Sequence, residues 1–297
     1  YALSESGKVI DLKSKKFDYI FYQRPYENYL PKELHARNVI RYAKTVYIPY
    51  FFQELKSLEG CYKTPFFNYL SIFFASSEQQ MHEAEDRSLR ENVFLGYPVF
   101  DEITVNEGRD VYQSFLWTPR WISDARTGGS NFMNYKDRLV EWKEKHPELQ
   151  LVMRPHPMTF ENMIKEGKMT ETEVEEYKKT IKDHDIPLDD NIDIKETFEN
   201  TDVLVTDESS IIITFFLTRK PIIYCADTGL CFVDEYKKII NASYVAGNWD
   251  EVEQIMDQLA NGNDYLKEQR MATISSMLSS SGTAERILYY LKNYLKG

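Results

Sequence analysis

Short apolar runs alternate with polar turns and amphipathic segments along most of the chain. Apolar, β-branched or aromatic runs predict buried strands at residues 17–22, 45–48, 72–75, 92–96, 111–117, 150–153, 203–206 and 221–225. Helical spacing, or a continuous apolar run after a polar turn, predicts helices at residues 134–146, 170–183, 211–217, 249–259 and 283–295. A short helix is also expected from Arg37 up to the strand at 45–48, and Ser76-Ser77-Glu78 predicts a helix start. This alternation indicates an α/β fold with parallel sheets.

The most complete unit of this pattern is the segment 201–227, TDVLVTDESSIIITFFLTRKPIIYCAD. It predicts a strand, a polar turn, a helix and a second strand, which together form one βαβ unit. Ligands of open parallel sheets bind at the carboxyl ends of the strands, and a helix start with Ser hydroxyls favours phosphate. Ser209 and Ser210 therefore indicate a nucleotide or phosphorylated substrate, with the alternative that they only cap a core helix.

Composition narrows the class of protein. The 297 residues suffice for two α/β domains, and the 42% hydrophobic and 28% charged shares are typical of a soluble globular protein. The net charge of −11 argues against a nucleic-acid partner, which would need clustered Lys and Arg. Three cysteines form neither a disulfide framework nor a zinc pattern, so we expect a reducing, cytoplasmic compartment. No apolar run is long enough to span a bilayer.

The polar segment 101–110, DEITVNEGRD, predicts the boundary between two domains. We expect an N-terminal Rossmann-like domain at residues 1–107 and a C-terminal Rossmann-like, nucleotide-binding domain at residues 108–297. The last predicted helix is long enough to pack back on the first domain. Because the sequence starts at Tyr1 rather than Met, we expect the first domain to be incomplete at its N-terminus.

An acidic loop contains Asp185, Asp189 and Asp190. These carboxylates raise the alternative of calcium binding, but they lack the spacing of an EF-hand loop. A solvated insertion is the favoured interpretation, and no metal site is predicted.

Three predicted strands of the second domain end in residues that can bind or transfer phosphate. These strand ends are Thr118-Pro119-Arg120, Arg154-Pro155-His156 and Asp207-Glu208-Ser209-Ser210. The carboxyl ends of parallel strands meet at one edge, where Arg offers forked donors and His can act as a general acid or base. The alternatives are that His156 is an ordinary loop residue and that Arg154 is only an ion-pair partner.

Five segments, in order, resemble successive motifs of the CDP-glycerol glycerophosphotransferases. They are NVFLGYPVFDEI (92–103), FLWTPRW (115–121), LVMRPHP (151–157), TDVLVTDESS (201–210) and RKPIIYCAD (219–227). The resemblance covers roughly residues 18–291, and five ordered motifs are more specific than any single one. It implies a GT-B type fold, in which two Rossmann-like domains face each other across a cleft and the second domain holds most of the CDP-glycerol.

The resemblance also implies the activity. Such enzymes transfer glycerol phosphate from a CDP-linked donor to an acceptor hydroxyl and release CMP, without a cofactor. They build teichoic-acid-like polymers on lipid-linked or polymer acceptors at the cytoplasmic face of the membrane, so the membrane surface is a potential partner. His156 would contact the transferring or leaving phosphate, and Asp207 would orient the turn or the glycerol. The other implied substrate-binding residues of this domain are Thr118, Arg120, Arg154, Ser209, Ser210 and Asp227.

The chain departs from the family pattern at two places. Family members usually carry Trp-His-Gly, with a proposed catalytic base, where the first strand here ends in Gln23-Arg24-Pro25-Tyr26-Glu27. We expect Tyr26 or Glu27 to replace that base, or His35 to fold back, with Gln23 and Arg24 binding substrate. Thr214 is the second departure, because an acidic residue is more usual there. Two alternatives stay open: a nucleotide-binding module with weakened catalysis, and a GT-B glycosyltransferase that uses a UDP-sugar.

Overall fold

The computed structural model describes residues 7–50, 52–56, 62, 64–85, 90–102, 111–121, 129–226, 230–277 and 282–295. The chain divides into two compact units. The first unit comprises Tyr1–Asp101, Cys231–Val233 and Ser279–Gly297, and the second comprises Glu102–Leu230 and Asp234–Leu278.

Each unit contains one parallel sheet. The strands of the first sheet lie in sequence order and are β1 (Tyr19–Tyr22), β2 (Lys44–Tyr47), β3 (Ile72–Phe74) and β4 (Glu91–Val93). The strands of the second sheet are β5 (Ser114–Thr118), β6 (Gln150–Met153), β7 (Val203–Thr206), β8 (Ile222–Cys225) and β9 (Tyr244–Ala246). Their order across the sheet is β6-β5-β7-β8-β9, and all neighbours are parallel.

Helices connect and cover these strands. They are α1 (Ala36–Val39), α2 (Glu78–Glu85), α3 (Phe132–Lys145), α4 (Thr159–Lys165), α5 (Glu171–Asp183), α6 (Ile194–Glu199), α7 (Ile211–Phe216), α8 (Asp234–Asn241), α9 (Trp249–Ala260), α10 (Lys267–Met277) and α11 (Thr283–Tyr294). Within the ranges given above, none of them has the length and apolarity needed to cross a membrane.

Aromatic side chains fill one side of the first sheet. Tyr47, at the end of β2, stacks on Phe73 of β3 with ring centroids 5.6 Å apart, and it meets Phe66 and Phe67 edge-on. All four side chains are almost completely buried. Because aromatic pairs in these geometries stabilise a core beyond their buried area, this cluster anchors the first unit.

Helix α11 belongs to the first unit, although it ends the chain. Ile287 and Leu291 form a buried cluster with Val46 of β2 and with residues of β3. At the N-terminus of the helix, the Asp101 carboxylate accepts hydrogen bonds from the backbone N–H groups of Gly282, at 3.2 Å, and Ala284, at 2.9 Å. An acidic group at this end satisfies free N–H donors and complements the helix dipole.

The central strands of the second sheet are buried along their whole length. Every residue of β5, β7 and β8 is buried, because helices cover both faces of this parallel sheet. On one face, Phe132 of α3 stacks on Trp117 of β5 at 5.7 Å. Val252 and Met256 of α9 belong to the same core. The strands are thereby fixed, and their carboxyl ends can carry a precisely placed set of loops.

The predicted α/β class with two parallel sheets is confirmed. All eight predicted strands are present, although the fourth is shorter than expected and ends at Val93. Gly96, inside the predicted strand, adopts a φ of 99°, which extended backbone does not allow. The short elements α4, α6 and β9 and the helices α8 and α10 were not predicted. The domain boundary stays a prediction, because residues 103–110 lie outside the described ranges.

Candidate functional site

The three predicted strand ends of the second unit meet at one edge of its sheet. β5 lies between β6 and β7, with Trp117 opposite Met153 and Thr118 opposite Thr206. The chain therefore leaves all three strands at the same level. The segments that follow are residues 119–121, 154–158 and 207–210, which we call the strand-end loops of the second unit.

Asp207 connects two of these loops. Its Oδ2 accepts a hydrogen bond from the backbone N–H of Arg120 at 2.9 Å and from that of Asn131 at 3.2 Å. Its Oδ1 accepts from the Asn131 side-chain amide at 2.8 Å. The residue is only 1% exposed, so these three donors take the place of water around the carboxylate.

The electrostatics of Asp207 reflect this burial. Desolvation raises the pKa of its carboxyl, and the hydrogen bonds from Arg120 and Asn131 act in the opposite direction. The geometry makes Asp207 a positioning residue that fixes the turn after β7. Direct contact of its carboxylate with glycerol stays a prediction.

Thr118 and Arg120 direct their polar atoms to other protein groups. The buried Thr118 hydroxyl donates to the hydroxyl of Thr206 at 2.7 Å. The Arg120 guanidinium donates to the carbonyl oxygen of Glu208 at 3.0 Å and forms an ion pair with the Glu208 carboxylate. Both residues therefore stiffen the strand ends, and their predicted contact with substrate is untested.

Arg154 is held by an ion pair. Its Nη1 donates to Asp189 Oδ2 at 2.6 Å, and its Nη2 donates to the Asn191 carbonyl oxygen at 2.7 Å. Asp189 also accepts from the Thr197 hydroxyl at 2.6 Å. Burial raises the pKa of Asp189, but the hydrogen bonds from Thr197 and Arg154 outweigh it and the net pKa is lowered. The guanidinium thus has the ion-pair arrangement that the sequence left open, and Asp189 is its partner.

His156 presents one ring nitrogen to solvent. Its Nδ1 accepts a hydrogen bond from the backbone N–H of Met158 at 3.1 Å, so the proton of the neutral ring lies on Nε2. The ring stacks on Trp121, with centroids 5.3 Å apart and planes inclined by 27°. Desolvation lowers the pKa of His156, which favours the neutral imidazole. Nε2–H is a donor without a partner among the described residues.

Ser209 and Ser210 begin α7 without capping it. Ser210 occupies the N-cap position, but its side chain makes no capping hydrogen bond. Neither hydroxyl is bonded to another residue of the described chain. Ser210 is exposed and Ser209 is half-buried. The capping alternative is therefore not realised by Ser210, and both hydroxyls remain available to a ligand.

The end of β1 carries the predicted site residues of the first unit. Glu27 Oε1 accepts from the backbone N–H of Ala36 at 2.5 Å, where α1 begins. His35 Nε2 lies 3.1 Å from the Leu30 carbonyl oxygen, which fixes its proton on Nε2. Gln23, Arg24 and Tyr26 are exposed. Glu27 and His35 each use one side-chain atom in a hydrogen bond with the backbone, and their role as a base stays a prediction.

Some residues of the site could not be found from the sequence. Three residues contact predicted site residues from which they are far apart in the sequence: Asn131, Trp121 and Asp189. A strand-end motif gives no signal for such partners. Asp227 and residues 122–128 lie outside the described ranges. Within those ranges, no group of His, Cys, Asp or Glu is arranged to hold a metal ion.

Comparison with known families gives a match. The family described as CDP-Glycerol:Poly(glycerophosphate) glycerophosphotransferase matches residues 95–288, well over half of the chain. The matched region contains all three strand-end loops of the second unit. Comparison with curated proteins gives no match.

Several solved structures share the fold. A protein assigned as a UDP-N-acetylglucosamine 2-epimerase from Listeria monocytogenes has a TM-score of 0.61 at 12% identity, covering 95% of this chain and 76% of its own. S. aureus MnaA with UDP has a TM-score of 0.60 at 14% identity, with 96% and 78% covered. A variant of the wall teichoic acid polymerase TagF with CDPG has a TM-score of 0.56 at 12% identity, with 94% and 73% covered. These are GT-B enzymes, and the predicted GT-B type fold is confirmed.

Proposed function

Because this chain belongs to the CDP-glycerol:poly(glycerophosphate) glycerophosphotransferase family, and is therefore a transferase, we propose the following reaction for it. An acceptor hydroxyl attacks the phosphorus that bears glycerol, or a related polyol, in a CDP-linked donor. The bond to the bridging oxygen of the pyrophosphate breaks, CMP leaves with the bonding electrons, and the proton of the acceptor hydroxyl passes to solvent. The product is an acceptor extended by one polyol phosphate in a teichoic-acid-like polymer.

The observation that carries this proposal is the set of unused donors at the carboxyl edge of the second sheet. His156 Nε2–H and the hydroxyls of Ser209 and Ser210 have no partner among the described residues, while neighbouring polar groups are bonded. Ligands of open α/β sheets bind at this edge. Neutral donors fixed by the protein can bind a pyrophosphate without first breaking an ion pair.

Phosphoryl transfer requires mainly positioning and stabilisation of the developing charge. In the proposed complex, His156 Nε2–H donates to an oxygen of the leaving or transferring phosphate. The serine hydroxyls hold the remaining pyrophosphate oxygens. The Nδ1 bond to Met158 and the stack on Trp121 keep the imidazole oriented, so that little reorganisation is needed during transfer.

Release of CMP from CDP-glycerol tests the proposal. With a glycerol phosphate oligomer as acceptor, we expect multiple turnovers by the full chain and a loss of roughly a hundredfold in His156→Ala, since a preorganised donor is removed. His184→Ala is the matched control, because that ring contacts Glu144 at 2.8 Å instead of the strand-end loops. Equal rates in the His156 variant and the wild type would exclude the assigned role.

A second candidate function is donor binding without turnover. The loop after β1 supports it, because Glu27 and His35 are both engaged with the backbone and no histidine replaces the base that the family usually has there. In this case CDP-glycerol binds to the second unit, but CMP does not accumulate beyond one equivalent. Multiple-turnover CMP formation would exclude this candidate.

The proposal also covers the acceptor, the place of the reaction and an alternative donor. The acceptor is lipid-linked or polymeric, and the enzyme works at the cytoplasmic face of the membrane. A UDP-sugar donor is the third candidate, and competition between CDP-glycerol and UDP-N-acetylglucosamine distinguishes it from the first.

A further inference from the structure

An exposed cation lies among three tyrosine rings at the carboxyl edge of the first sheet. The Arg24 guanidinium carbon is 5.4 Å from the ring centroid of Tyr29, 5.9 Å from that of Tyr50 and 6.0 Å from that of Tyr26. Tyr22 of β1 pairs with Tyr47 of β2, so the loops that follow these parallel strands leave the sheet together. We call these four residues, Arg24, Tyr26, Tyr29 and Tyr50, the tyrosine–arginine cluster.

The cluster is organised before any ligand arrives. The hydroxyls of Tyr26 and Tyr50 are 3.3 Å apart and join the loops after β1 and β2. Tyr26 and Tyr29 meet edge-on, with centroids 5.9 Å apart. The three rings are nevertheless 42%, 50% and 49% exposed for Tyr26, Tyr29 and Tyr50. Rigid aromatic faces that stay open to solvent are typical of binding sites, since little entropy is lost when they make contacts.

Arg24 keeps its charge and its hydrogen-bond donors free for a ligand. Within the described part of the chain it forms neither an ion pair nor a hydrogen bond, and its contacts are with rings. The nearest carboxylate along the sequence, Glu27, directs Oε1 to the backbone N–H of Ala36. An arginine whose contacts are with aromatic rings keeps its forked donors for a phosphate group.

We propose that the tyrosine–arginine cluster binds the phosphate of a polyol phosphate. The guanidinium holds the phosphate oxygens, and the tyrosine ring faces contact the carbon chain of the polyol. This inference deepens the proposed function, on which the choice of polyol phosphate rests. The same chemistry is offered by a phosphodiester of the acceptor polymer and by the glycerol phosphate of the donor.

Calorimetric titration of the full chain distinguishes these two sources. Glycerol phosphate oligomer and CDP-glycerol are titrated separately into wild type, Arg24→Gln and the control Arg41→Gln, an exposed arginine of the same unit with no ring contact among the described residues. We expect Arg24→Gln to weaken one titrant by roughly ten- to a hundredfold, the size of a charged hydrogen-bonding pair. Arg41→Gln should leave both affinities unchanged.

Each outcome has one meaning. Loss of oligomer affinity alone assigns the cluster to the acceptor, and loss of CDP-glycerol affinity alone assigns it to the donor. Unchanged affinity for both titrants in Arg24→Gln overturns the proposal. An equal loss in Arg41→Gln also overturns it, because the effect would then come from net charge.

A second set of variants separates binding from folding. Tyr29→Phe keeps the ring face and should bind as wild type, whereas Tyr29→Ala should lose affinity roughly tenfold, since ring contacts of this kind are typically worth that much. Arg24→Lys should not keep the affinity of the wild type, because the lysine ammonium lacks the planar fork of donors. If all three variants bind the oligomer as tightly as wild type, the tyrosine–arginine cluster does not bind the polyol phosphate.

Failure of this inference is separable from failure of the proposed function. The oligomer titration needs no donor, and the variant Ser209→Ala/Ser210→Ala in the second unit should weaken CDP-glycerol without changing oligomer affinity. If CDP-glycerol does not bind at all but Arg24→Gln still weakens the oligomer, the proposed donor is wrong and the cluster remains a polyol phosphate site.

Discussion

Asp207 is the residue on which the geometry of the strand-end loops in the second unit depends. It sits directly after β7, and three N–H groups from Arg120 and Asn131 converge on its buried carboxylate. A buried carboxylate is stable only when such donors replace water. The polar turn of a βαβ unit thereby holds neighbouring loops, and in the proposed function the ligand is bound by His156 and the serine hydroxyls instead.

Replacing Asp207 by Ala should destabilise the protein. Three N–H groups of Arg120 and Asn131 would lose their acceptor, and we expect the free energy of unfolding to fall by about 3 kcal/mol. Asp190→Ala is the control, because this aspartate is exposed in the loop before α6 and should change stability by less than about 0.5 kcal/mol. Urea unfolding of both variants measures the difference. Equal stabilities would contradict the positioning role of Asp207.

His156 should make donor binding depend on pH. Desolvation lowers its pKa, and only the neutral ring can donate from Nε2 and accept the Met158 N–H at Nδ1 at the same time, so donor binding should select the neutral imidazole. CDP-glycerol should therefore bind less tightly as the pH falls from about 7 to about 5.

In His156→Gln this pH dependence should disappear, because the glutamine amide still donates a hydrogen bond but does not titrate. Calorimetry in buffers with different ionisation enthalpies reports the protons directly. An identical pH dependence in the wild type and the variant would show that another group titrates.

Helix α11 is the element that closes the core of the first unit. Ile287 and Leu291, on one side of it, pack on the sheet, while Leu288 on another side is 55% exposed. The helix is thus held by burial of one face, which is the usual source of helix stability in proteins.

Truncating side chains on the buried face of α11 should therefore lower the free energy of unfolding far more than truncating side chains on its exposed face. Ile287→Ala and Leu291→Ala should each lower the free energy of unfolding by about 2 to 4 kcal/mol, through lost burial and the cavity that remains. Leu288→Ala, a leucine on the same helix, should change it by less than about 0.5 kcal/mol. Similar losses in all three variants, measured by denaturant unfolding, would contradict the described packing.

The elements that were predicted correctly are those with a continuous pattern. Residues 203–206 and 150–153 are apolar runs bounded by polar turns, and the strands have those bounds. β9 has three residues, of which the middle one is exposed, so no continuous buried run marks it. α8 was missed although Tyr236, Ile239 and Ile240 give it helical spacing, so its signal was present in the sequence.

The residue types of the site were predictable, but their partners were not. Arg154 followed a strand as expected, yet it pairs with Asp189, which is 35 residues further along the chain. Asp207 was recognised in the polar turn, yet its donor Asn131 lies 76 residues before it. Such contacts depend on which loops the tertiary fold brings together, and local spacing carries no information about them.

On the scale of the whole molecule, a buried network ties together distant parts of the second unit. The Asp264 carboxylate accepts from the hydroxyls of Tyr112, at 2.5 Å, and Tyr244, at 2.8 Å, and forms an ion pair with Arg270 of α10. Burial raises the pKa of Asp264. The hydrogen bonds and charge of Arg270 and the hydrogen bonds from the two tyrosines act in the opposite direction, and the net pKa lies below its ordinary value of 3.8.

This network should make the second unit sensitive to acid. A carboxyl with a lowered pKa stabilises the folded state above its unfolded pKa, and that stabilisation is lost as the pH falls through the folded pKa. Asp264→Asn should lower the free energy of unfolding by about 3 kcal/mol near pH 7 and reduce its loss below about pH 4. Asp190→Asn is the matched control. A variant with the acid sensitivity of the wild type would contradict this role.

The central claim is that the carboxyl edge of the second sheet binds a CDP-linked polyol donor. Calorimetric titration of the full chain with CDP-glycerol and with UDP-N-acetylglucosamine tests it most directly, and it needs no acceptor. The account predicts tighter binding of CDP-glycerol, weakened roughly tenfold in Ser209→Ala/Ser210→Ala, where two hydroxyl donors are lost. A folded chain that binds no cytidine ligand, or that binds CDP-glycerol equally well without both hydroxyls, would contradict it.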